Sequence, residues 1–343
     1  MITEAERRAM RRALQLAATP GVPLGPNPRV GCVVLSPDGT PVAEGFHRGA
    51  GTAHAEVAAL EQAGDAARGS TVVVTLEPCN HTGRTGPCSQ ALIAAGVARV
   101  VFAQPDANPV AVGGAARLRD AGVDVVGGEM IAEAQALNRA WTFAIIRQRP
   151  FVTWKFATTL DGRSAASDGT SRWVSSPAAR RDTHRLRAQC DTMLVGTRTV
   201  EVDDPELTAR DELDEPLADQ PLRAVMGLRD LPQGRRVFND RAQTVQLRTH
   251  DPGEALALLR QLDRQHVFLE GGPTLARAFL QAGLVDEVIA YVAPMLLGAG
   301  TSAVADLGVE TMADALHLHV TDVHVLEGHD GDDTNVRLTM RRK

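Results

Sequence analysis

Three side chains able to bind a soft metal ion recur at telling positions in the first third of the chain. His54-Ala55-Glu56 leads a stretch of helical spacing; Glu77-Pro78-Cys79 follows an apolar run; Cys88 comes after the eight residues Asn80 to Pro87. Zn²⁺ takes imidazole nitrogen and thiolate sulfur, and three protein ligands leave a fourth tetrahedral position for water. Two thiolates and a neutral imidazole bring the site near zero net charge, so the metal can lower the pKa of its water toward neutrality. Glu56, two residues from His54, is then placed to carry protons between that water and a substrate. A purely structural zinc knuckle would usually fill the fourth position with Cys or His, and the sequence offers no obvious fourth ligand. Cys32 lies in an apolar run and Cys190 follows a helix without a companion, so both read as packed side chains.

The elements that must position these residues follow from periodicity. Thr3 with Glu6 forms a capping-box pattern for a helix running to about Ala18, stopped by Pro20, Gly21 and Pro23. Strand-like runs are expected at Val30–Leu35, Thr71–Leu76, Arg99–Ala103 and Val123–Val126. Between them lie short helices at His54–Ala63, Ser89–Ala95 and Ala115–Ala121, each closed by glycine. This alternation predicts a mostly parallel sheet covered on both faces. His54 then opens a helix, Cys79 ends a strand and Cys88 opens the next helix, so the donors converge on one sheet edge. A helix near Ile131–Ile145 ends before Pro150, which sets a boundary at Arg147–Pro150 and two domains, 1–147 and 151–343. In the second half, strands are expected at Phe151–Phe156, Thr192–Val195, Leu222–Met226, His266–Leu269 and Glu287–Val292, with helices at Pro177–Gln189 and Thr274–Ala282. Asp203–Pro221 and Glu327–Asp333 read as solvated loops, the basic tail Arg341-Arg342-Lys343 as surface charge, and His317 and His319 as exposed strand positions.

H-x-E followed by P-C and a later Cys is the signature of zinc-dependent nucleobase deaminases, with a longer gap here between the cysteines. His54-Ala55-Glu56-Val57, Thr75-Leu76-Glu77-Pro78-Cys79-Asn80-His81-Thr82-Gly83-Arg84-Thr85-Gly86-Pro87-Cys88 and Pro26-Asn27-Pro28-Arg29-Val30-Gly31-Cys32 together resemble the bifunctional deaminase/reductases of riboflavin biosynthesis. The resemblance implies a cytidine-deaminase-like α/β/α domain. Its substrate would be 2,5-diamino-6-(5-phosphoribosylamino)pyrimidin-4-one, whose 2-amino group is replaced by oxygen. Pocket positions that match the family are Asn27, His47, His81, Arg84, Asp106 and Asn108. Amides and carboxylates suit a diaminopyrimidinone edge, and Arg84 with the histidines suits a phosphate. Gly86, Ala107 and Ala115 are small departures from the family pattern.

The second half contains no G-x-G-x-x-G after a strand, so a dinucleotide needs another seat. Glu270-Gly271-Gly272-Pro273-Thr274 offers a strand end, glycines and a helix start, and Gly196-Thr197-Arg198-Thr199 offers a second such turn. Lys155–Arg163, Ser171-Arg172-Trp173, Arg187, Gly196 through Arg210, and Glu270 through Ala276 are similar to the family's reductase domain, which is related in fold to dihydrofolate reductase. The resemblance implies NADPH as the hydride donor to C1′ of the ribosylamino group. It places the cofactor at Ala157, Trp173, Thr199, Asp203 and Gly272-Pro273-Thr274-Leu275. It places substrate at Ser171, Arg187, Leu207, Arg210 and Glu270, with Lys155 or Asp203 passing the proton to the opening ring. One departure stands out: Arg223-Ala224-Val225-Met226-Gly227 ends in glycine where the family usually has Asp, and the segment to Pro252 is short. An impaired reductase half is the alternative that this departure raises.

Composition sets the remaining bounds. The chain has 343 residues, room for two cores, and 44% hydrophobic with 23% charged residues is a globular balance. A formal charge of −6 and only 3% aromatic residues, with Tyr291 the single tyrosine, argue against a nucleic-acid-editing deaminase or any extended nucleic-acid partner. The charged N-terminus does not resemble a signal peptide and no apolar run is long enough for a bilayer, so a cytoplasmic protein without membrane association is expected. The partner expected is the small phosphoribosylaminopyrimidine, and the family's habit implies a homo-oligomer.

Overall fold

The first helix forms for the reason its sequence suggests. Thr3 Oγ1 accepts from the Glu6 amide at 3.2 Å and the Glu6 carboxylate accepts from the Thr3 amide at 2.7 Å, closing the capping box of α1 (Glu4–Ala17). The computed structural model describes residues 1–82, 86–328 and 334–342. The chain divides into two compact units, which part between Gln148 and Arg149.

The first unit continues with β1 (Gly31–Leu35), β2 (Pro41–Phe46), α2 (Ala55–Ala63), β3 (Thr71–Leu76), α3 (Cys88–Ala94), β4 (Arg99–Gln104), α4 (Gly114–Asp120), β5 (Asp124–Gly127), α5 (Ile131–Leu137) and α6 (Arg139–Arg147). The sheet runs β2-β1-β3-β4-β5. β3, β4 and β5 are parallel, whereas β1 is antiparallel to both its neighbours. The expected mostly parallel sheet is therefore a mixed one. The strand that sequence reading passed over, β2, contains Gly45, which weakens a strand pattern but is required here: a Cβ would lie 2.4 Å from the Ala55 carbonyl oxygen. Successive strand residues feed two cores, Cys32, Val34, Val72, Val74 and Val100 on one face and Val33, Leu35, Val73 and Val101 on the other. Helices cover both faces, and Cys32 is packed core. The single helix expected over Ile131–Ile145 is broken at Asn138. That side chain accepts from the Arg29 amide at 2.8 Å and donates to the Arg29 carbonyl at 2.9 Å.

The second unit contains β6 (Phe151–Thr159), β7 (Arg163–Ala165), α7 (Pro177–Arg187), β8 (Thr192–Gly196), α8 (Thr197–Asp203), β9 (Leu222–Met226), β10 (Thr244–Leu247), α9 (Pro252–Gln261), β11 (His266–Leu269), α10 (Pro273–Gln281), β12 (Glu287–Ala293), β13 (Thr301–Ser302), β14 (Leu318–Leu326) and β15 (Asn335–Arg342). Its main sheet is ordered β10-β9-β8-β11-β6-β12-β15-β14. The first six strands are parallel, and β15 is antiparallel to β12 and β14. Val152, Trp154, Leu194, Leu269 and Phe279 fill one face, and Met193, Val195, Val225, Phe268 and Tyr291 the other.

Asp203–Pro221 is not simply solvated charge, because Leu207, Thr208 and Ala209 in its middle are buried. The loop is drawn inward by side chains that take its backbone: Arg187 Nη1 and His184 Nδ1 reach the Thr208 carbonyl at 2.9 and 3.1 Å, and Gln220 bonds both the amide and the carbonyl of Ala209. Cys190 is buried with its thiol directed at the Leu186 carbonyl, and His317 and His319 are exposed, the latter on β14. Part of the Glu327–Asp333 stretch and Lys343 of the tail lie outside the described residues. No helix among the described residues is long and apolar enough to cross a membrane.

Candidate active sites

His54 is the residue that caps α2, Cys79 lies three residues beyond β3, and Cys88 is the first residue of α3. These elements bring the three donor atoms within 4.8 Å of one another. His54 Nδ1 is 3.2 Å from Cys88 Sγ and 3.6 Å from Cys79 Sγ. A tetrahedral zinc with Zn–N of about 2.1 Å and Zn–S of about 2.3 Å spans roughly 3.6 Å between its nitrogen and sulfur ligands, so the donor set fits the ion. The Cys88 amide donates to Cys79 Sγ at 3.4 Å. Hydrogen bonds from Cys88 and His54 pull the Cys79 thiol down to about 4, while its bond to Cys79 and burial push the Cys88 thiol up. Metal binding by thiolates releases protons, so zinc affinity at such a donor set depends on pH.

Glu56 sits in the first turn of α2 and is buried. Burial pushes its carboxyl up to about 7, helped by the charge of Cys79 and opposed by its own backbone amide, His54 and Cys88. Around this centre stand most of the expected pocket residues. His47 Nδ1 donates to the Ala53 carbonyl at 3.1 Å, which leaves Nε2 to accept from Asn27 Nδ2 at 3.0 Å. The His47 ring stands edge-on to that of His54, with centroids 5.4 Å apart. Asp106 accepts from the Asn108 amide at 2.8 Å, and burial first, then the charges of Glu77 and Cys79, push its carboxyl up to about 6. The buried Nδ1 of His81 has no hydrogen-bond partner among the described residues. Arg84 lies outside the described residues.

Two positioning residues escaped the sequence reading. Buried Glu77 accepts from the amides of Asp106 at 3.4 Å and Ala115 at 3.0 Å, tying the end of β3 to α4 and to the Asp106 loop. Gly114 lets α4 approach so closely that a Cβ would fall 1.7 Å from the Pro78 carbonyl oxygen. The adjacency of Glu77 to Pro78-Cys79 was a visible signal for the first; nothing local signals the second.

In the second unit, Arg187 from α7 grips Glu270, beyond β11, through Nε at 2.9 Å and Nη2 at 2.6 Å. Burial alone would raise Glu270, but Arg187 and then Lys155 outweigh it and hold the carboxyl down at about 2. Lys155 on β6 is lowered by burial, and its Nζ lies 5.5 Å from the centroid of the Tyr291 ring. Arg210 pairs with Glu206 at 2.6 Å, and buried Leu207 between them adopts a left-handed backbone with φ 54°. Gly272 caps α10, which begins Pro273-Thr274-Leu275. At neighbouring Gly271 a Cβ would crowd the Leu275 side chain, 2.5 Å from its Cδ2. Ala157 packs beside the core, Thr199 is half-buried on α8, and Asp203 is exposed at that helix's end. Ser171 and Trp173 are exposed; the Arg180 guanidinium lies 4.3 Å from the centroid of the Trp173 ring, at the edge of a cleft of about 270 Å³.

Comparison with known proteins matches both units. Residues 3–104 match the cytidine and deoxycytidylate deaminase zinc-binding region, and residues 150–331 match the RibD C-terminal domain. The riboflavin biosynthesis protein RibD of Mycobacterium tuberculosis is 52% identical over 293 residues, covering 85% of this chain and 86% of that protein. Its Escherichia coli counterpart is 41% identical over 363 residues, covering 96% and 98%. The chain belongs to the RibD family. Among solved structures, Acinetobacter baumannii RibD superposes with a TM-score of 0.89 at 36% identity, covering 99% of each chain. The diaminohydroxyphosphoribosylaminopyrimidine deaminase/5-amino-6-(5-phosphoribosylamino)uracil reductase of Thermotoga maritima gives 0.85 at 31%, again over 99% of each. As a RibD-family enzyme the chain carries a zinc-dependent deaminase half and an NADPH-dependent reductase half. Its departure at Gly227 has a local cause: the residue has φ 142°, and a Cβ there would meet the Thr197 side chain at 2.9 Å.

Proposed function

We propose that this chain carries out two successive steps on one phosphoribosylaminopyrimidine. Water replaces the 2-amino group of 2,5-diamino-6-(5-phosphoribosylamino)pyrimidin-4-one and ammonia leaves. Hydride from NADPH, with a proton, then opens the ribosyl ring to a ribityl chain. The deaminase would occupy 1–147 and the reductase 151–343. The observation that carries the reading is the convergence of His54, Cys79 and Cys88 beside a buried carboxyl group, Glu56.

His54, Cys79 and Cys88 would hold a zinc ion, which would supply an acidified water. Glu56 would carry two protons in turn, one from the water to the ring nitrogen and one from the newly added hydroxyl to the departing amine, a role that suits a carboxyl group whose proton affinity burial has brought near neutrality. Asn27 and His47, joined by their hydrogen bond, would offer polar groups to the pyrimidine together with Asp106 and Asn108, and His81 and Arg84 would bind the phosphate. In the reductase half, Arg187, Arg210, Ser171, Leu207, Glu270 and Lys155 hold the substrate. Ala157, Trp173, Thr199, Asp203 and Gly272-Pro273-Thr274-Leu275 hold NADPH. Lys155, whose proton burial loosens, is the better placed donor to the opening ring oxygen; Asp203 lies exposed at the end of α8.

We place the enzyme in the cytoplasm as a homo-oligomer; the edge strand β14, with Val320, Val323 and Val325 exposed, supports self-association. Incubating the purified protein with the diaminopyrimidine, with and without NADPH, tests both steps. Ammonia should appear in either case, and NADPH absorbance should fall only after it. NADPH consumption with no ammonia release would refute the order, and release of neither product would refute the function.

A further inference from the structure

In the first unit the chain passes from one face of the sheet to the other at Asn138. Ala134 of α5 belongs to the core on one face, and Trp141 of α6 to the core on the other. The passage lies where β1 begins and β3 and β4 end. Asn138 bonds Arg29, two residues before β1, and Thr142 bonds Gln104, the last residue of β4. Cys79 leaves this same end of the sheet, three residues beyond β3.

One buried side chain takes both backbone groups of Arg29: Asn138 accepts from its amide at 2.8 Å and donates to its carbonyl at 2.9 Å. A primary amide supplies donor and acceptor on one rigid plane, so it fixes the direction of the backbone as well as its place. Residue 29 stands between two contacts with His47. On one side Asn27 Nδ2 donates to His47 Nε2 at 3.0 Å; on the other the Val30 carbonyl accepts from the His47 amide at 2.9 Å. Holding Arg29 therefore holds the Asn27–His47 pair.

Thr142 lies one turn further along α6, on the same face of the helix as Asn138. Its Oγ1 accepts from Nε2 of buried Gln104 at 2.8 Å. The Gln104 carbonyl accepts from the Glu77 amide at 2.8 Å, and the Glu77 carboxylate accepts in turn from the amides of Asp106 and Ala115. The loop that carries Asp106 and Asn108 thus departs from a strand end that Thr142 anchors. Trp141, packed into the core between the two polar residues, seats the helix on the sheet. We propose that Asn138 and Thr142 are positioning residues for the deamination: α6 sets the Asn27–His47 pair and the Asp106–Asn108 loop at the spacing that grips the pyrimidine. Zinc binding and the proton transfers of Glu56 are left to α2, α3 and the end of β3. The proposal rests on the deaminase reading above.

The test is steady-state ammonia release by the full chain from the diaminopyrimidine substrate, with zinc content followed by metal analysis. Asn138→Ala and Thr142→Val should each raise KM about five- to tenfold, as for roughly one misplaced hydrogen bond to the substrate. The turnover number should stay within about twofold with zinc retained, because a rise in KM alone marks the loss of binding that substrate and transition state share. Thr142→Ser keeps the hydroxyl and should restore KM to within about twofold of wild type; a role in packing alone would make serine, the smaller side chain, worse than valine. Arg147→Ala, exposed at the end of α6, should change neither constant. The Thr142 variants decide the matter even where Asn138→Ala fails to fold. Unchanged KM in Thr142→Val or in a zinc-retaining Asn138→Ala, or a fall in kcat and zinc content that tracks the rise in KM, would overturn the positioning role and leave the deaminase reading in place. No ammonia from the wild type would overturn both.

Discussion

Replacing Glu270 by glutamine tests the electrostatic design of the reductase half most directly. The carboxylate accepts two charge-assisted bonds from Arg187, at 2.9 and 2.6 Å, in a pair whose side chains are only 16% and 10% exposed. Arg187 and Lys155 hold the carboxyl at about 2 from an ordinary 4.5 in spite of burial. At about 1.4 kcal/mol for each tenfold in proton affinity, the ionised carboxylate contributes on the order of 3 kcal/mol to the folded unit. Glutamine keeps the shape but leaves Arg187 and Lys155 as two buried cations without a counterion, and breaking one side of such a pair costs about 3–5 kcal/mol. The sign with pH follows from the depressed value. The contribution is complete above pH 4.5 and is lost as pH falls through about 2, so the gap between wild type and Glu270→Gln should be about 3 kcal/mol at pH 7 and roughly half that at pH 3. Native-state hydrogen exchange of β6 and β11 against urea isolates this unit from the other. A gap under about 1 kcal/mol at pH 7, or one that is the same at both pH values, would refute the reasoning.

Three further outcomes are expected. Glu56→Gln should retain one zinc per chain by metal analysis yet lose about 10²–10⁴ in ammonia release, the usual worth of a positioned proton carrier, while NADPH oxidation with the deaminated substrate stays within twofold. Cys88→Ala, or chelation of the wild type, should abolish zinc content and ammonia release together; reductase turnover on the deaminated substrate should persist, and its parallel loss would argue against independent sites. Gly114→Ala forces a Cβ to within 1.7 Å of the Pro78 carbonyl, so α4 must shift away from the Cys79 loop. Overpacking of this kind costs about 1–3 kcal/mol, and thermal unfolding should show the loss alongside a weaker hold on zinc; unchanged melting and metal content would show the contact to be slack.

The metal-binding residues were legible because their chemistry is local. His54 and Cys88 mark helix starts and Cys79 follows a strand, and each boundary carries its own signal in the chain. The residues that hold them in place send no comparable signal. Glu77 could be read as part of the Glu77-Pro78-Cys79 motif, yet its work is on the amides of Asp106 and Ala115, about thirty to forty positions away. Composition misled at Asp203–Pro221, where Asp, Glu and Pro suggest solvent but Leu207, Thr208 and Ala209 are buried. The one local clue was that apolar-leaning triplet, and the buried Arg187 that takes the Thr208 carbonyl comes from a helix twenty residues earlier. β2 and the break at Asn138 were missed for related reasons: Gly45 is kept for the passage of α2, and Asn138 leaves the helical pattern to bond both backbone groups of Arg29.

The reductase half was harder to read than the deaminase half because its charged centre is assembled from distant segments. A metal with three soft ligands tolerates only a few donor types at short range, so spacing and residue type nearly determine it. The Lys155–Arg187–Glu270 group needs β6, α7 and β11 to be stacked first, and each member alone is an ordinary charged residue. What makes it informative is burial: three charges are withdrawn from water at the carboxyl ends of parallel strands, two of them locked in a bidentate pair. A group used only for stability could be replaced by apolar packing at little cost. Its place at the end of the sheet where ligands bind is in keeping with the role proposed for these residues in holding the substrate.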